Sequence, residues 1–316
     1  MLADARIGVV GATGAVGAVA LELLAERGAR HVRAFASARS AGQELRYGGD
    51  TLTVEEATPA RLSAGDLDLC LFSVGTSASR ELVPAAVRGG AVCVDKSAAY
   101  RLADGVPLVV PEVNGRRAAE HDGILANPNC CTIPLTCVLK PLHDVAGLVR
   151  VRVATYQSVS GAGAQSMDRL RAEAPSEHDL RMDWDFDGVE FDEEEKLRAE
   201  TRKILELPDL PVSPSCMRVP VMVGHAEAIW VETQEPLSAD GARALLGRAP
   251  GIRLVDLPTP GAASGTDDVL VGRIRTDSAE PNGLALLVVC DNLRKGAALN
   301  ALQVAELVLA REPVAA

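Results

Sequence analysis

The sequence predicts an α/β protein, with a doubly wound parallel sheet in its first part and a second, α+β domain after it. Three observations carry that prediction. Up to about residue 128, short and near-continuous apolar runs alternate with stretches of helical periodicity, the texture of strands buried on both faces beneath crossover helices. A glycine-rich turn follows the first of those runs. From about Val149 the apolar runs lengthen and mostly alternate with polar residues, as in a sheet with one face more exposed.

Arg6–Val10 reads as the first strand, and Ala15–Glu26 carries apolar residues at helical spacing. His31–Ser37 reads as the next strand. Leu67–Val74 (LDLCLFSV) and Ala91–Asp95 (AVCVD) are further buried strands. In the second part the strand-like runs are VRVATYQSV, AEAIWVETQ, VGRIRTD and LALLVVCD, interrupted by helical segments at about 163–172 and 192–205. Gly296–Ala310 is amphipathic and helical, and is expected to return to the first domain. The expected division is therefore 1–128 with about 296–316, and 129–295.

Composition narrows the function classes. Of 316 residues, 47% are hydrophobic and 24% charged, enough apolar mass for two cores. A net charge of -11 disfavours binding to a nucleic-acid backbone. The seven cysteines are an odd set without zinc-ligand spacing or a disulfide framework, so no metal is expected. The opening MLADARIGVVGATG does not read as a signal peptide, and no apolar run reaches transmembrane length; a cytoplasmic location is expected.

The turn after the first strand is GATGAVG, with Gly11, Gly14 and Gly17 three apart. Glycines there let the backbone turn tightly and approach a pyrophosphate, whose charge the following helix N-terminus attracts. NAD sites usually end the second strand in a carboxylate for the ribose hydroxyls. Here that strand runs into SARSAG, where Arg39 between Ser37 and Ser40 offers charge and hydroxyls to a 2′-phosphate. NADP is favoured over NAD.

ILANPNCCTIPLT places the turn-forming Asn127–Asn129 before Cys130 and a helical run after it. A thiolate at a helix N-terminus is stabilised by unpaired N–H groups, which prepares a nucleophile. The residue chemistry leaves Cys131 open as an alternative. Pro134 is tolerable only within the first helical turn. The segment Asp183–Glu194 (DWDFDGVEFDEE) fits the calcium-loop formula D-x-D-x-D-G-x5-E, except that Glu190 stands where such loops place an apolar residue.

Taken in order, GATGAVG, SARSAG, YRLADGVPLVVPEVN, NPNCCTIP, TYQSVSGAG, EEEKLRAETRKIL, RVPVMVGHAEA and DNLRKGAALN resemble the blocks of the bacterial aspartate-semialdehyde dehydrogenase family. That resemblance implies a Rossmann-like domain and a catalytic and dimerisation domain, a cytoplasmic homodimer, and NADP-dependent, phosphorylating oxidation of an aldehyde. It implies Cys130 as the nucleophile, His225 as the acid/base and Gln157 as a residue that orients the substrate. Arg218 would hold the substrate α-carboxylate, Glu193 its ammonium, and Arg101 with Lys196 the inorganic phosphate. Gly11, Thr13, Gly14, Ala15, Val16, Arg39, Ser40, Ser160, Gly161 and Asn292 would bind the cofactor. Lys96, Cys131 and Pro134 depart from the family's common Asn, Ser and Gln. His31, His121, His143 and His178 read as ordinary packed or surface histidines. Alternatives are an N-acetyl-glutamyl-phosphate reductase-like enzyme, a catalytically silent homologue, which the intact Cys, Gln and His oppose, and a calcium-binding protein.

Overall fold

A computed structural model describes residues 2–173 and 184–310. The chain divides into two compact units, residues 1–128 with 297–316 and residues 129–296.

The first unit is built on six parallel strands: β1 (Arg6–Val10), β2 (His31–Ala36), β5 (Glu55–Glu56), β6 (Leu69–Phe72), β7 (Val92–Asp95) and β8 (Ile124–Ala126). Their order, β5-β2-β1-β6-β7-β8, reverses direction between β1 and β6. In an open α/β sheet, that reversal at the carboxyl ends of the strands is where ligands bind. Ile7, Val9 and Leu69 are fully buried, as a sheet covered on both faces requires. The helices Ala15–Glu26 and Leu299–Leu309 pack on one another within this unit, and Leu23, Leu24, Leu302 and Val304 share its core.

β2 stops one residue short of the expected strand because Ser37 opens a turn whose carbonyl accepts from the Ser40 N–H at 2.9 Å. A hairpin, β3 (Glu44–Tyr47) and β4 (Asp50–Thr53), lies beyond it. Its Leu45, Tyr47 and Leu52 turn toward the core of the unit, but each strand is only four residues long, too short a run to read in advance.

The second unit holds a mixed six-stranded sheet, β9 (Leu148–Gln157), β10 (Val212–Arg218), β11 (His225–Thr233), β12 (Ile252–Leu254), β13 (Val269–Thr276) and β14 (Gly283–Cys290), in the order β10-β9-β11-β14-β13-β12. β11 alternates strictly between buried and half-buried residues, the one-sided pattern expected of these runs. β14 departs from it and is almost wholly buried. The reason is the loop with Val255 and Ala263, which covers the face carrying Leu287 and Val289. On the other face of β9, β10 and β11, a row of polar residues points inward: Gln157, Arg218, His225 and Glu227 are all at least nine-tenths buried. Helices Thr132–Ala146 and Asp192–Leu205 pack against these strands and each other. Pro134 falls in the first turn of the former, where its missing N–H costs nothing.

Candidate active site

Cys130 stands one residue before Cys131, the N-cap of the helix Thr132–Ala146. The Asn129 side chain builds the approach: its Oδ1 accepts from the Cys131 N–H at 2.8 Å, and its Nδ2 donates to Glu193 at 2.9 Å. The Asn129 backbone N–H in turn donates to Glu200 Oε2 at 2.7 Å. A short loop with so many fixed hydrogen bonds places the sulfur rigidly.

The two adjacent cysteines are not equivalent. Cys130 is half-buried, whereas Cys131 is 1% exposed and its Sγ accepts from Gln157 Nε2 at 2.7 Å. Burial and the neighbouring Cys130 sulfur push the Cys131 thiol well above the usual range. Cys216, on β10, is pushed up to about 12 by burial. Of these three, only Cys130 is reachable by a substrate.

His225 opens β11, and its imidazole lies against Ser158. The Ser158 backbone N–H donates to Nδ1 at 3.0 Å, and the Ser158 hydroxyl is 3.1 Å from the same nitrogen. That hydroxyl donates to Asn292 Oδ1 at 2.9 Å, so its lone pairs can accept a proton on Nδ1. The backbone N–H, which can only donate, holds Nδ1 as an acceptor, so the neutral ring carries its proton on Nε2. Nε2 is buried and has no hydrogen-bond partner among the described residues. The Sγ atoms of Cys130 and Cys131 and a ring nitrogen of His225 all lie within 4.8 Å of one another.

Around this core, Gln157 Nε2 also donates to Glu193 Oε1 at 3.0 Å, while Gln157 Oε1 is buried without a partner among the described residues. Glu193 is 7% exposed, and burial, then the Cys130 charge, raises its carboxyl. Such a group gains most by ionising opposite a cation. Arg218 ends β10, donates through Nη1 to the Ser158 carbonyl at 3.0 Å and lies over the Trp184 ring at 4.5 Å. A guanidinium braced by a carbonyl and an aromatic face keeps one fork orientation.

The residues expected at a cofactor fall in both units. In the first, Gly11 (φ 91°) turns the chain, and a Cβ there would lie 2.3 Å from the Ser73 carbonyl oxygen. A Cβ on Gly17 would lie 2.1 Å from the Gly11 oxygen. Packing therefore explains both glycines. Gly14, the N-cap of the helix Ala15–Glu26, would meet only the Gly11 oxygen, at 3.3 Å. Its bare backbone answers no strong internal demand. Ala15 and Val16 begin that helix, and Thr13 is exposed beside it. Arg39 is exposed and Ser40 half-buried in the turn after β2. The same end of the sheet holds the glycine turn, since Gly11 and Ala12 N–H both donate to the Phe35 carbonyl.

In the second unit, Asn292 Oδ1 accepts from Ser158, Ser160 and the Gly224 N–H. Ser160 and Asn292 thereby brace the loop that holds His225. A Cβ on Gly161 would sit 3.1 Å from Arg218 Nη1 and 3.2 Å from His225 Nε2. Any larger residue at 161 would crowd both side chains.

Of the residues expected at phosphate, Arg101 is buried in the first unit, donating to the carbonyls of Asn127 at 3.0 Å and Lys96 at 2.5 Å. Lys196, in the second, pairs with Asp192 one helical turn earlier.

Sequence reading missed Ser158, Trp184 and Glu227. Glu227 shares the inward face of β11 with His225, two residues away, and that spacing was the available signal. Burial pushes its carboxyl well up, with the Cys130 charge adding and a hydrogen bond from the Cys131 thiol pulling the other way. It is fully buried beside the thiols. Trp184 left no comparable signal.

The calcium-loop reading fares poorly. Asp183 lies outside the described residues. Glu194, which would be the bidentate ligand, accepts instead from the N–H groups of Phe191 and Cys216 at 2.8 Å each. Asp187 accepts from Val189 and Glu190, and Glu190 pairs with Arg198.

Residues 6–121 match the family model described as semialdehyde dehydrogenase, NAD binding domain, and residues 139–186 and 181–295 match the semialdehyde dehydrogenase dimerisation domain. The chain is 45% identical to aspartate-semialdehyde dehydrogenase of Corynebacterium glutamicum, covering 96% of this chain and 99% of the relative. It is 47% identical to that of Streptomyces akiyoshiensis, over 96% and 98%. The chain belongs to the aspartate-semialdehyde dehydrogenase family.

Among solved family structures, aspartate semialdehyde dehydrogenase II of Vibrio cholerae, complexed with ASA, superposes with a TM-score of 0.92 at 39% identity, covering 97% of this chain and 98% of that one. The Candida albicans enzyme with NADP gives a TM-score of 0.75 at 26% identity, over 97% and 98%. The predicted fold class and family thus hold along nearly the whole chain, and a nicotinamide-binding domain comes with them.

Proposed function

We propose that the protein interconverts L-aspartate 4-semialdehyde plus phosphate with L-4-aspartyl phosphate, through a thioester on Cys130 and with NADP as cofactor. The observation that carries this reading is the half-buried Cys130 sulfur beside the buried imidazole of His225, whose Nε2 has no partner among the described residues.

The residues divide the work as follows. The Arg218 fork takes the substrate α-carboxylate. Glu193 and the Gln157 Oε1 accept from its ammonium, so that both find the partner their burial calls for. The Cys130 sulfur bonds to the aldehyde carbon, with His225 handling the proton. Inorganic phosphate, for which Arg101 of the first unit and Lys196 of the second are the candidate cations, attacks the thioester carbonyl. The C–S bond then breaks, sulfur leaves as thiolate, and the acyl phosphate is released. His225 shuttles the proton between these steps, its ring oriented by the Ser158 N–H on Nδ1. In biosynthesis of lysine and diaminopimelate, threonine, methionine and isoleucine the sequence runs in reverse, in the cytoplasm.

The first unit fits a dinucleotide. Gly14 has room for a pyrophosphate at the N-terminus of the helix that it caps, with Gly11, Thr13, Ala15 and Val16 around it. Ser160, Gly161 and Asn292 are the second unit's contribution. A bound nicotinamide supplies hydride acceptance or donation. The preference for NADP rests on Arg39 and Ser40 in the turn after β2, with no carboxylate among residues 37–43. Arg39→Ala is expected to raise KM for NADP roughly 10–100-fold, the worth of a charge-assisted hydrogen bond, while KM for NAD barely changes. Equal effects on both cofactors would refute that role.

A homodimer is part of the same reading. The family's dimerisation model spans most of the second unit, and the outward face of β9 and β10 exposes Tyr156 (41%) and Met217 (51%) directly opposite one another. No helix among the described residues is long and apolar enough to cross a membrane.

The deciding assay is reduction of NADP with aspartate semialdehyde, expected to depend on phosphate. Turnover of N-acetyl-glutamate semialdehyde in preference would establish the alternative reductase, in which Glu193 has no ammonium to bind.

A further inference from the structure

We propose that Cys130, Cys131 and His225 together form a binding site for one thiophilic divalent cation of the zinc–cadmium class. Two thiolates and an imidazole are the donor set that such ions select. The three donor atoms, two sulfurs and a ring nitrogen, lie within 4.8 Å of one another. Tetrahedral zinc, with bonds of about 2.3 Å to sulfur and about 2.0–2.1 Å to nitrogen, needs its donors roughly 3.5–3.8 Å apart. A contraction of about 1 Å completes the site.

A second observation points to a ligand independently. His225 is 1% exposed, yet its Nε2 has no hydrogen-bond partner among the described residues. Metal-bound histidines normally send their other nitrogen to an oxygen that fixes the ring. Here the Ser158 N–H donates to Nδ1 at 3.0 Å, so a cation entering at Nε2 sends the ring proton to Nδ1, where the Ser158 hydroxyl, 3.1 Å away and itself anchored on Asn292, can accept it once the N–H has shifted aside.

Charge favours a divalent ion. Each thiol that ligates releases its proton, and a 2+ ion with two thiolates is neutral, which a largely buried pocket tolerates far better than two bare anions. Cys130, half-buried, leaves the fourth position to water. Cys131 makes this a property of the present chain: with an oxygen-bearing residue in its place, the soft donor set shrinks to one sulfur. Binding does not depend on the reaction proposed above. Only the accompanying loss of turnover does, because the cation would occupy the nucleophile.

Titration of the full-length protein with cadmium ion, followed by the sulfur-to-cadmium charge-transfer band in the ultraviolet, separates the two. The expected result is a band saturating at one equivalent per chain and removed by a chelator. In Cys131→Ser the band should fall to about half, with affinity roughly 10–100-fold weaker, at least the cost of losing an outer supporting group. In Cys130→Ser/Cys131→Ser it should vanish, with circular dichroism confirming the fold of each variant. A band that survives the double substitution, or one unchanged by Cys131→Ser, would overturn the proposal. So would the absence of saturable binding at one equivalent. Inhibition by cadmium without that band would overturn it as well.

Discussion

Replacing Cys130 by alanine is expected to lower kcat/KM by on the order of 10⁴-fold or more, because the covalent route has no second nucleophile to fall back on. The alternative sulfur, on Cys131, is 1% exposed, takes a hydrogen bond from Gln157 and is held protonated by burial. Cofactor binding and thermal stability should stay near those of the unmodified protein, since Cys130 is only half-buried. Steady-state kinetics with both reaction directions, beside a cofactor titration, checks this. Substantial turnover by the alanine variant would move the nucleophile elsewhere.

His225→Asn is expected to lower kcat roughly 10²–10⁴-fold, the usual worth of a positioned acid/base. The asparagine can still accept the Ser158 N–H, so the loop braced by Asn292 should keep its shape. A drop confined to KM would mean that the imidazole binds substrate rather than moving a proton. Comparing kcat and KM for this variant separates the two roles.

How far these sites could be read in advance depended on whether their signals were local. The helix Ala15–Glu26 was legible because its apolar spacing and the preceding glycines are a local pattern. So was the strand run Val92–Asp95, short and apolar up to its final aspartate. The hairpin of β3 and β4 escaped because its strands are only four residues long, with Leu45, Tyr47 and Leu52 the few apolar positions that reach the core. β14 looked like a one-sided strand until the loop with Val255 and Ala263 covered its second face, a contact that no period encodes.

The candidate site divides in the same way. Cys130 announces itself through the Asn-Pro-Asn turn before it, but the choice against Cys131 needs three-dimensional burial. The resemblance supplied His225, Arg218 and Glu193; β10 ending and β11 beginning beside β9 bring the first two next to Gln157, and Glu193 comes in from the helix Asp192–Leu205. Trp184 is brought over Arg218 from a segment 34 positions away in sequence. Glu227 was hidden for another reason: a glutamate in a strand suggests a solvated face, and here the alternation places it inward with His225.

The most direct test of the central claim is mass spectrometry of the protein mixed with aspartate semialdehyde and NADP in the absence of phosphate. An aspartyl adduct on the peptide containing Cys130, discharged when phosphate is added, is the predicted result. An adduct on another residue, or reduction of NADP with no adduct at all, would contradict the account.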